Sequence, residues 1–429
     1  MTVYEHRQGG KALRILQLGE VPPPYGGVSS FVHGTSKSLA ARGHTVIVAP
    51  LSFQPKEKDP VIESERNYEV VYCDLRLDTV LKLAWRFGEL FVIASLRKSH
   101  RRVFLEGVYK LLRSHSGIRG KVAILYRLAW VFHICKSRNI NIILGHHGGE
   151  RGLLAVILGR ILGIPGYPFL HGGVIFYNDD APVTYKNLVA TVIKYGNEFL
   201  FCSSNSIKRA VSLGMPEYKA VHVGLGVDCR SIRPRPIPPL HPFHILSIGY
   251  LSPHRGLEQL IRATQIIKHR IASVRVSIVG PDPHQYWPKL ESLVVDLALA
   301  DSVKYLGILS EEQYRSLLRS VHVGAFLLQG EKTGSLAACL EVQAAGIPVL
   351  TTGLGGLDEY VEHGTTGLIC GTSPEEAAEA LFYMFNMYKA GHWDPDRIHK
   401  YAKEHSWEKV AANLEKTFQQ ASLLEDYWK

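Results

Sequence analysis

Phe243-His-Ile-Leu-Ser-Ile-Gly249-Tyr-Leu-Ser-Pro-His-Arg-Gly256 decides the fold. Its first six residues have the length and apolar content of a short buried strand, and a loop bracketed by two glycines then leads into a helical pattern. The same order occurs earlier: Leu13-Arg-Ile-Leu-Gln-Leu-Gly19 reads as a strand, Gly26 follows seven residues later, and a helical segment comes next. Both glycine pairs are displaced by 230 residues. Strand, glycine, loop, glycine, helix is the entry to a Rossmann-like βα crossover. A repeat this long indicates two similar α/β domains, not a solenoid. The 429-residue length agrees, since a single core usually stops growing before that size.

Outward from these units, short apolar runs alternate with helical patterns. Strands are expected at 44–49, 140–144, 167–170 and 199–202 in the first half, and at 274–279, 303–306, 321–327 and 348–351 in the second. Such runs, flanked by Gly and Pro, indicate parallel sheets buried on both faces. Arg233-Pro-Arg-Pro-Ile-Pro-Pro-Leu-His-Pro242 places five prolines in ten residues, which rules out helix and central strand and marks a linker. The expected division is therefore 1–236 and 237–404, with a helix in 405–429 returning to the first domain. Ser406 is the expected N-cap of that helix, and Trp407, Val410, Leu414 and Phe418 follow at helical spacing.

The composition is that of a globular chain, with 46% apolar and 21% charged residues. No apolar run approaches the ~20 residues of a membrane span. Met1 to Lys11 contains Glu5 and has no long apolar core, so no signal peptide is expected. The six cysteines are scattered, without a C-x-x-C pair, and read as buried thiols in a reducing compartment. A cytoplasmic location is the expectation. Net charge is +10, and eight Lys/Arg against the single acid Glu106 concentrate between Arg97 and Lys121. Apolar residues interleave, including Val103, Phe104, Leu105, Tyr109 and Leu111, and Trp85, Phe87 and Phe91 lie upstream. A basic amphipathic segment of this kind suits an anionic membrane surface, an anionic soluble acceptor or plain solvent. Without a recognisable nucleic-acid motif, nucleic acid is not an expected partner.

Four places carry chemistry. Lys332-Thr-Gly-Ser-Leu-Ala-Ala-Cys-Leu-Glu341-Val-Gln-Ala-Ala-Gly-Ile-Pro-Val349 is a glycine-opened turn, a helix and a strand. Free N–H groups at the start of such a helix suit phosphate. Glu341 lies six residues beyond Ser335, about 9 Å along the axis at 1.5 Å per residue, which is the reach from a diphosphate to a ribose. An ordinary αβ unit with a solvated Glu explains this segment equally well by itself. Gly26 and Gly27 stand where backbone would approach a pyrophosphate, or simply form a packing turn. His171 ends a strand, positioned either to orient substrate or to serve as a core histidine. His146 and His147, followed by Gly148, Gly149 and Glu150, suggest an acceptor-side lining or a structural turn. A metal site is not expected, because adjacent histidines at a strand end face apart and no carboxylate pair joins them.

These segments together resemble the retaining glycosyltransferases of the GT4 family. The resemblance runs from about Ala12 to Leu424 and weakens between about 55 and 135. It rests on Pro22-Pro-Pro-Tyr-Gly-Gly27, Leu39-Ala-Ala-Arg-Gly-His44, Gly163-Ile-Pro165 leading to Phe169-Leu-His171-Gly172, Cys202-Ser-Ser204 and Gly226-Val-Asp228. In the second half it rests on Gly249-Tyr-Leu-Ser-Pro-His-Arg-Gly256, Ile278-Val-Gly280, Tyr305-Leu-Gly307-Ile308, the Glu341 helix, Gly355-Gly356-Leu-Asp-Glu359 and His363-Gly-Thr-Thr-Gly-Leu368. The ordered set is the specific signal. Departures are equally clear. Tyr250 stands where the family usually carries Arg, Arg255 where it carries Lys, Thr333 where the first Glu of its paired-Glu motif belongs, and Leu225 in place of Asn. Glu331 lies two residues before the position of that first Glu.

The resemblance implies a GT-B fold, two Rossmann-like domains facing each other across a cleft. It implies transfer of a sugar from a UDP- or GDP-sugar to a hydroxyl of a glycan or lipid-linked glycan, with no resident cofactor. Donor-binding positions carried over are Gly26, Gly27, Gly249, Tyr250, Arg255, Gly280, Ile308, Gly334, Ser335, Leu336 and Glu341. Catalytic positions are His171, Arg255 and Thr333, and the acceptor side is His146, His147 and Glu150. The absence of an obvious carboxylate nucleophile implies departure and attack on one face, with the leaving phosphate stabilised by Arg255 and helix N-termini. The alternatives are a nucleotide-sugar epimerase or hydrolase, which would need cleft carboxylates, and a non-catalytic scaffold, which the Tyr250 and Thr333 departures make conceivable.

Overall fold

The computed structural model describes residues 12–22, 26–52, 63–64, 66–73, 77–172, 181–330 and 336–422. The chain divides into two compact units. One comprises the chain up to Cys202, Ile207–Val223 and Val410 onward; the other comprises Ser203–Ser206 and Gly224–Lys409. The division at Val223–Gly224 precedes the proline-rich stretch in which a boundary at 236 was expected. Packing gives the reason: a Cβ on Gly226 would lie 2.3 Å from the Trp407 ring, and Val227 bridges to Ser406, so this segment is tied to the second unit.

In the first unit, strands β1 (Arg14–Leu18), β2 (Thr45–Val48), β3 (Glu69–Val70), β4 (Ile142–His146), β5 (Gly166–Phe169), β6 (Phe199–Phe201) and β7 (Ala220–His222) form a sheet in the order β3-β2-β1-β4-β5-β6-β7. Every pairing is parallel. Both faces are covered, which is why β1 and β4 are almost entirely buried. Helix α1 (Gly27–Ala41) follows β1. Helices α2 (Leu77–Leu96), α3 (Lys98–Arg113) and α4 (Gly117–Ser137) lie between β3 and β4 in the chain, and α5 (Glu150–Leu162) joins β4 to β5. Helix α6 (Val183–Tyr195) precedes β6, and α7 (Ser204–Ser212) follows it.

The second unit repeats the plan. Strands β8 (Phe243–Ile248), β9 (Val274–Val279), β10 (Val303–Tyr305), β11 (Val323–Phe326), β12 (Val349–Thr351) and β13 (Gly367–Ile369) run in the order β10-β9-β8-β11-β12-β13. Counted from its own first strand, the second sheet reads 3-2-1-4-5-6 and the first reads the same with a seventh strand added at the end, so the repeated sequence unit is the strand beside which the order reverses. Helices α8 (Leu257–Ile267), α9 (Trp287–Asp296), α10 (Glu311–Leu318), α11 (Leu336–Ala344), α12 (Pro374–Lys389) and α13 (Pro395–Lys403) complete the unit. Two of them start at complete capping boxes, Ser310 with Gln313 and Ser373 with Glu376, which satisfy otherwise orphaned N–H groups. Each unit has its own apolar core.

The last helix, α14 (Trp407–Ser422), begins in the second unit and belongs to the first from Val410 on. There Val410, Leu414 and Phe418 are buried, with the Phe418 ring 5.7 Å from Tyr167. Glu415 pairs with Arg42 and lies 3.3 Å from His44 Nε2. Among the described residues no helix is long and apolar enough to cross a membrane.

Candidate functional site

At the carboxyl ends of β8 and β11, where the second sheet reverses its order, an open recess of about 270 Å³ is lined by Gly249, Tyr250, Arg255, Phe326 and Leu328. In doubly wound sheets this is where ligands bind. Arg255 ends a single 3-10 turn, Pro253–Arg255, and its guanidinium carbon lies 4.5 Å from the centre of the Tyr250 ring. Tyr250, the departure from the family pattern, is therefore the platform on which the remaining cation rests. Gly249 has φ +139°, and a Cβ there would come within 2.9 Å of that guanidinium and push it from its place. Gly256 has φ +66°, and a Cβ there would lie 1.7 Å from the Leu327 carbonyl oxygen, so only glycine closes this turn. Gly280 packs as tightly on the Gly249 backbone, and its N–H donates to the Gly307 carbonyl at 2.8 Å. Ile308, next along, is exposed. The structure thus gathers Gly249, Tyr250, Arg255, Gly280 and Ile308 on adjoining loops of one sheet edge.

Glu341 sits inside α11. Burial pushes its carboxyl up to about 7. The Tyr314 hydroxyl on α10 is pushed well above its ordinary range, first by burial and then by the Glu341 charge, which places the two groups near each other. A shielded carboxylate with a raised pKa is one that gains strongly from hydrogen-bond donors. Thr333, Gly334 and Ser335 lie outside the described residues, as does Glu331; Leu336 opens the helix. Glu359 accepts from the N–H groups of Ser204 (2.8 Å) and Asn205 (2.9 Å), organising a helix start.

In the first unit, the corresponding switch point lies between β1 and β4. His146 Nε2 is 2.7 Å from Gln17 Oε1, and His146 Nδ1 is 3.0 Å from His171 Nε2. Gln17, His146 and His171 are all buried. The His171 ring stacks on Phe169 with centroids 4.4 Å apart and meets Phe31 edge-on at 5.2 Å. Burial holds His146 and His171 well below the usual imidazole range, reinforced at His171 by its two histidine neighbours, so both are neutral near pH 7. His147 is pulled down to about 4, first by burial and then by Arg151. The expectation that His146 and His147 face apart is overturned. Their rings lie 5.4 and 5.6 Å from the same His171 ring, because His147 has φ +77°, which breaks the alternation of an extended strand. Three histidines therefore converge, yet among the described residues no group of three or more His, Cys, Asp or Glu has the arrangement to hold a metal ion.

Gln17 is the participant that the sequence reading left unassigned. Its signal was an uncharged polar residue flanked by leucines in the buried part of β1. Glu150 is engaged at 3.1 and 3.2 Å by Arg127 and lies 3.4 Å from His115, so its carboxylate already has cationic company. Gly26 caps α1 in extended backbone, and a Cβ on Gly27 would meet nothing within 4 Å. Packing among the described residues does not account for the absence of a side chain there.

Helices α2 to α4 present a mixed surface. Trp85, Phe91, Leu96, Leu105, Tyr109, Ile118 and Val122 are exposed large hydrophobics, from 50% to 81% accessible, and Arg97, Lys98, Arg101, Arg102, Arg119 and Lys121 are exposed among them. Val103, Phe104 and Leu111, which the sequence placed on the amphipathic face, are core instead. The lone acid Glu106 is bonded by Lys194 and Tyr195.

Residues 242–386 match the family described as glycosyl transferases group 1. The chain is 31% identical over 180 residues to a putative colanic acid biosynthesis glycosyltransferase of Escherichia coli K12, covering 40% of this chain and 43% of that protein. It is 28% identical over 196 residues to a GDP-mannose-dependent alpha-(1-6)-phosphatidylinositol monomannoside mannosyltransferase of Mycobacterium tuberculosis, covering 42% and 50%. The crystal structure of Anabaena HepE in complex with UDP and glucose superposes with a TM-score of 0.68 at 16% identity, over 95% of this chain and all of that one. Residues 242–386 thus resemble a group 1 glycosyltransferase domain, and the fold is GT-B. Within the matched span lie Gly249, Tyr250, Arg255, Gly280, Ile308 and Glu341; the histidine cluster lies outside it. The chain spans less than half of the length of the first of these curated relatives.

Proposed function

We propose that this chain is a retaining glycosyltransferase that moves a sugar from a UDP- or GDP-sugar to a hydroxyl of a lipid-linked or polysaccharide precursor at the cytoplasmic face of a membrane. The observation that carries the reading is the recess at the β8/β11 switch point, with Arg255 held over Tyr250, inside a domain matching the group 1 glycosyltransferases. In this reading Arg255 takes the donor diphosphate through its planar fork, and Glu341 accepts from ribose hydroxyls. The bond from the anomeric carbon to the diphosphate oxygen breaks, and the glycosidic C–O bond forms on the same face. The acceptor proton passes to the leaving diphosphate, whose charge Arg255 and backbone N–H groups stabilise. His171 orients a carbohydrate hydroxyl.

The exposed aromatic and basic surface of α2 to α4 supports the membrane part, since apolar side chains among cations suit an anionic interface. The mycobacterial relative is named for a phosphatidylinositol-linked acceptor, which agrees with a lipid-linked substrate. A thermal-shift screen of nucleoside diphosphates and their sugars tests the donor half. A ligand at 100 times its Kd stabilises by about 2.7 kcal/mol, and the reading expects UDP or GDP to do so. If neither nucleotide nor any of their sugars shifts the melt, the donor assignment fails.

A further inference from the structure

We propose that Gln17 is a positioning residue which, through His146, fixes the tautomer of His171 and leaves His171 Nδ1 as a hydrogen-bond acceptor for a carbohydrate hydroxyl. The direction of the chain of bonds is set at its inner end. Thr35 Oγ1 lies 2.7 Å from the Phe31 carbonyl oxygen and must donate its only proton there. It can then only accept from Gln17, whose Nε2 lies 3.5 Å away and also donates to Ser36 Oγ at 2.8 Å. The amide is thereby oriented with Oε1 toward His146. An amide oxygen only accepts, so His146 carries its proton on Nε2 and donates it at 2.7 Å. His146 Nδ1 is then unprotonated and accepts from His171 Nε2–H at 3.0 Å. A neutral imidazole bears one N–H, which leaves a lone pair on His171 Nδ1.

The histidines stay neutral because burial disfavours the imidazolium at both. An acceptor nitrogen takes a hydroxyl proton and repels a phosphate oxygen, so the device selects for the carbohydrate part of a substrate and against its phosphates. Stacking on Phe169 and the edge-on contact with Phe31 hold the His171 ring plane while the hydrogen bonds hold its protonation. This inference rests on the proposed role of His171.

The test is long-range ¹H–¹⁵N spectroscopy of the full chain labelled at histidine, which reports the tautomer of each ring directly. Wild type is expected to show His171 with Nε2–H and an unprotonated Nδ1. Gln17→Met removes the acceptor at nearly constant volume and should release His146 and His171 to mixed tautomers, with a fall in kcat and little change in donor KM. Gln17→Glu keeps an acceptor facing His146 Nε2–H and should retain the wild-type tautomer. If Gln17→Met does not fold, Thr35→Val removes the hydroxyl that orients the amide at nearly constant volume and should produce the same mixture. A wild-type His171 bearing Nδ1–H overturns the proposal, as does an unchanged tautomer in a folded Gln17→Met or Thr35→Val chain. A wild-type chain that transfers no sugar defeats the proposed function separately, because the spectra need no substrate.

Discussion

Replacing Glu341 by Gln separates what its carboxylate costs the fold from what it does for a ligand. Burial lifts the carboxyl from 4.5 to about 7, so the folded chain holds a proton that the unfolded chain has released. Between those two values the native state binds more protons than the unfolded state, and stability falls as pH rises through the window. At 1.36 kcal/mol per unit the full shift corresponds to about 3 kcal/mol. Glu341 is partly accessible, and solvent screening reduces the figure to about 1–2 kcal/mol. Glu341→Gln keeps the shape and removes the charge. Its melting temperature should match wild type at pH 4.5 and exceed it at pH 8, by about 2–4 °C for each kcal/mol in a unit of this size. The same variant should bind UDP or GDP about 10- to 100-fold more weakly, because a charged hydrogen bond to a hydroxyl contributes about 1.5–3 kcal/mol. Calorimetric melts at both pH values and isothermal titration with each nucleotide measure the two effects. Equal melting at pH 8, or undiminished nucleotide affinity, would refute the placement of a shielded, ligand-seeking carboxylate on α11.

Arg255→Ala should abolish the melting shift produced by nucleoside diphosphate, while Arg255→Lys recovers part of it, since lysine keeps the charge and loses the fork. Tyr250→Phe should retain donor binding in titration; Tyr250→Arg should weaken it, because a second cation replaces the ring 4.5 Å from the Arg255 guanidinium. His171→Ala should lower kcat with nucleotide affinity unchanged, and a collapse of the melt instead would mark His171 as a packing residue. Changing Arg97, Lys98, Arg101 and Arg102 to Gln should remove about 4 kcal/mol of attraction to anionic vesicles, at about 1 kcal/mol each. Co-sedimentation at low salt reads this, and wild-type indifference to such vesicles would defeat the membrane assignment.

The paired strand–glycine–helix units were legible because β1 and β8 are buried on both faces, and burial of that kind leaves an apolar run in the sequence. β3, β7 and β13 were not; Glu69–Val70 is a strand only because β2 lies beside it. The donor-side edge could be read from glycine positions, since Gly256 and Gly280 answer to close backbone contacts that forbid any other residue. That Tyr250 carries Arg255 could not, because a cation–π contact leaves no spacing signature. The histidine cluster fell between these cases. His146 ends β4 and His171 follows the end of β5 by two residues, and their convergence with His147 depends on one left-handed backbone angle. Gln17 matters only through partners as far off in sequence as His146. On the basic segment, charge was visible, whereas which apolar residues were core and which exposed was settled by the packing of α3 against the first unit's core.

The most direct test of the account is transfer itself. The full chain is incubated with isotopically labelled UDP- and GDP-sugars and a membrane fraction as acceptor source, and the anomeric configuration of the product linkage is read by NMR. The account predicts acceptor-dependent release of nucleoside diphosphate, a product with the configuration of the donor, and loss of both in Arg255→Ala. An inverted linkage, or release that persists in Arg255→Ala, would contradict it.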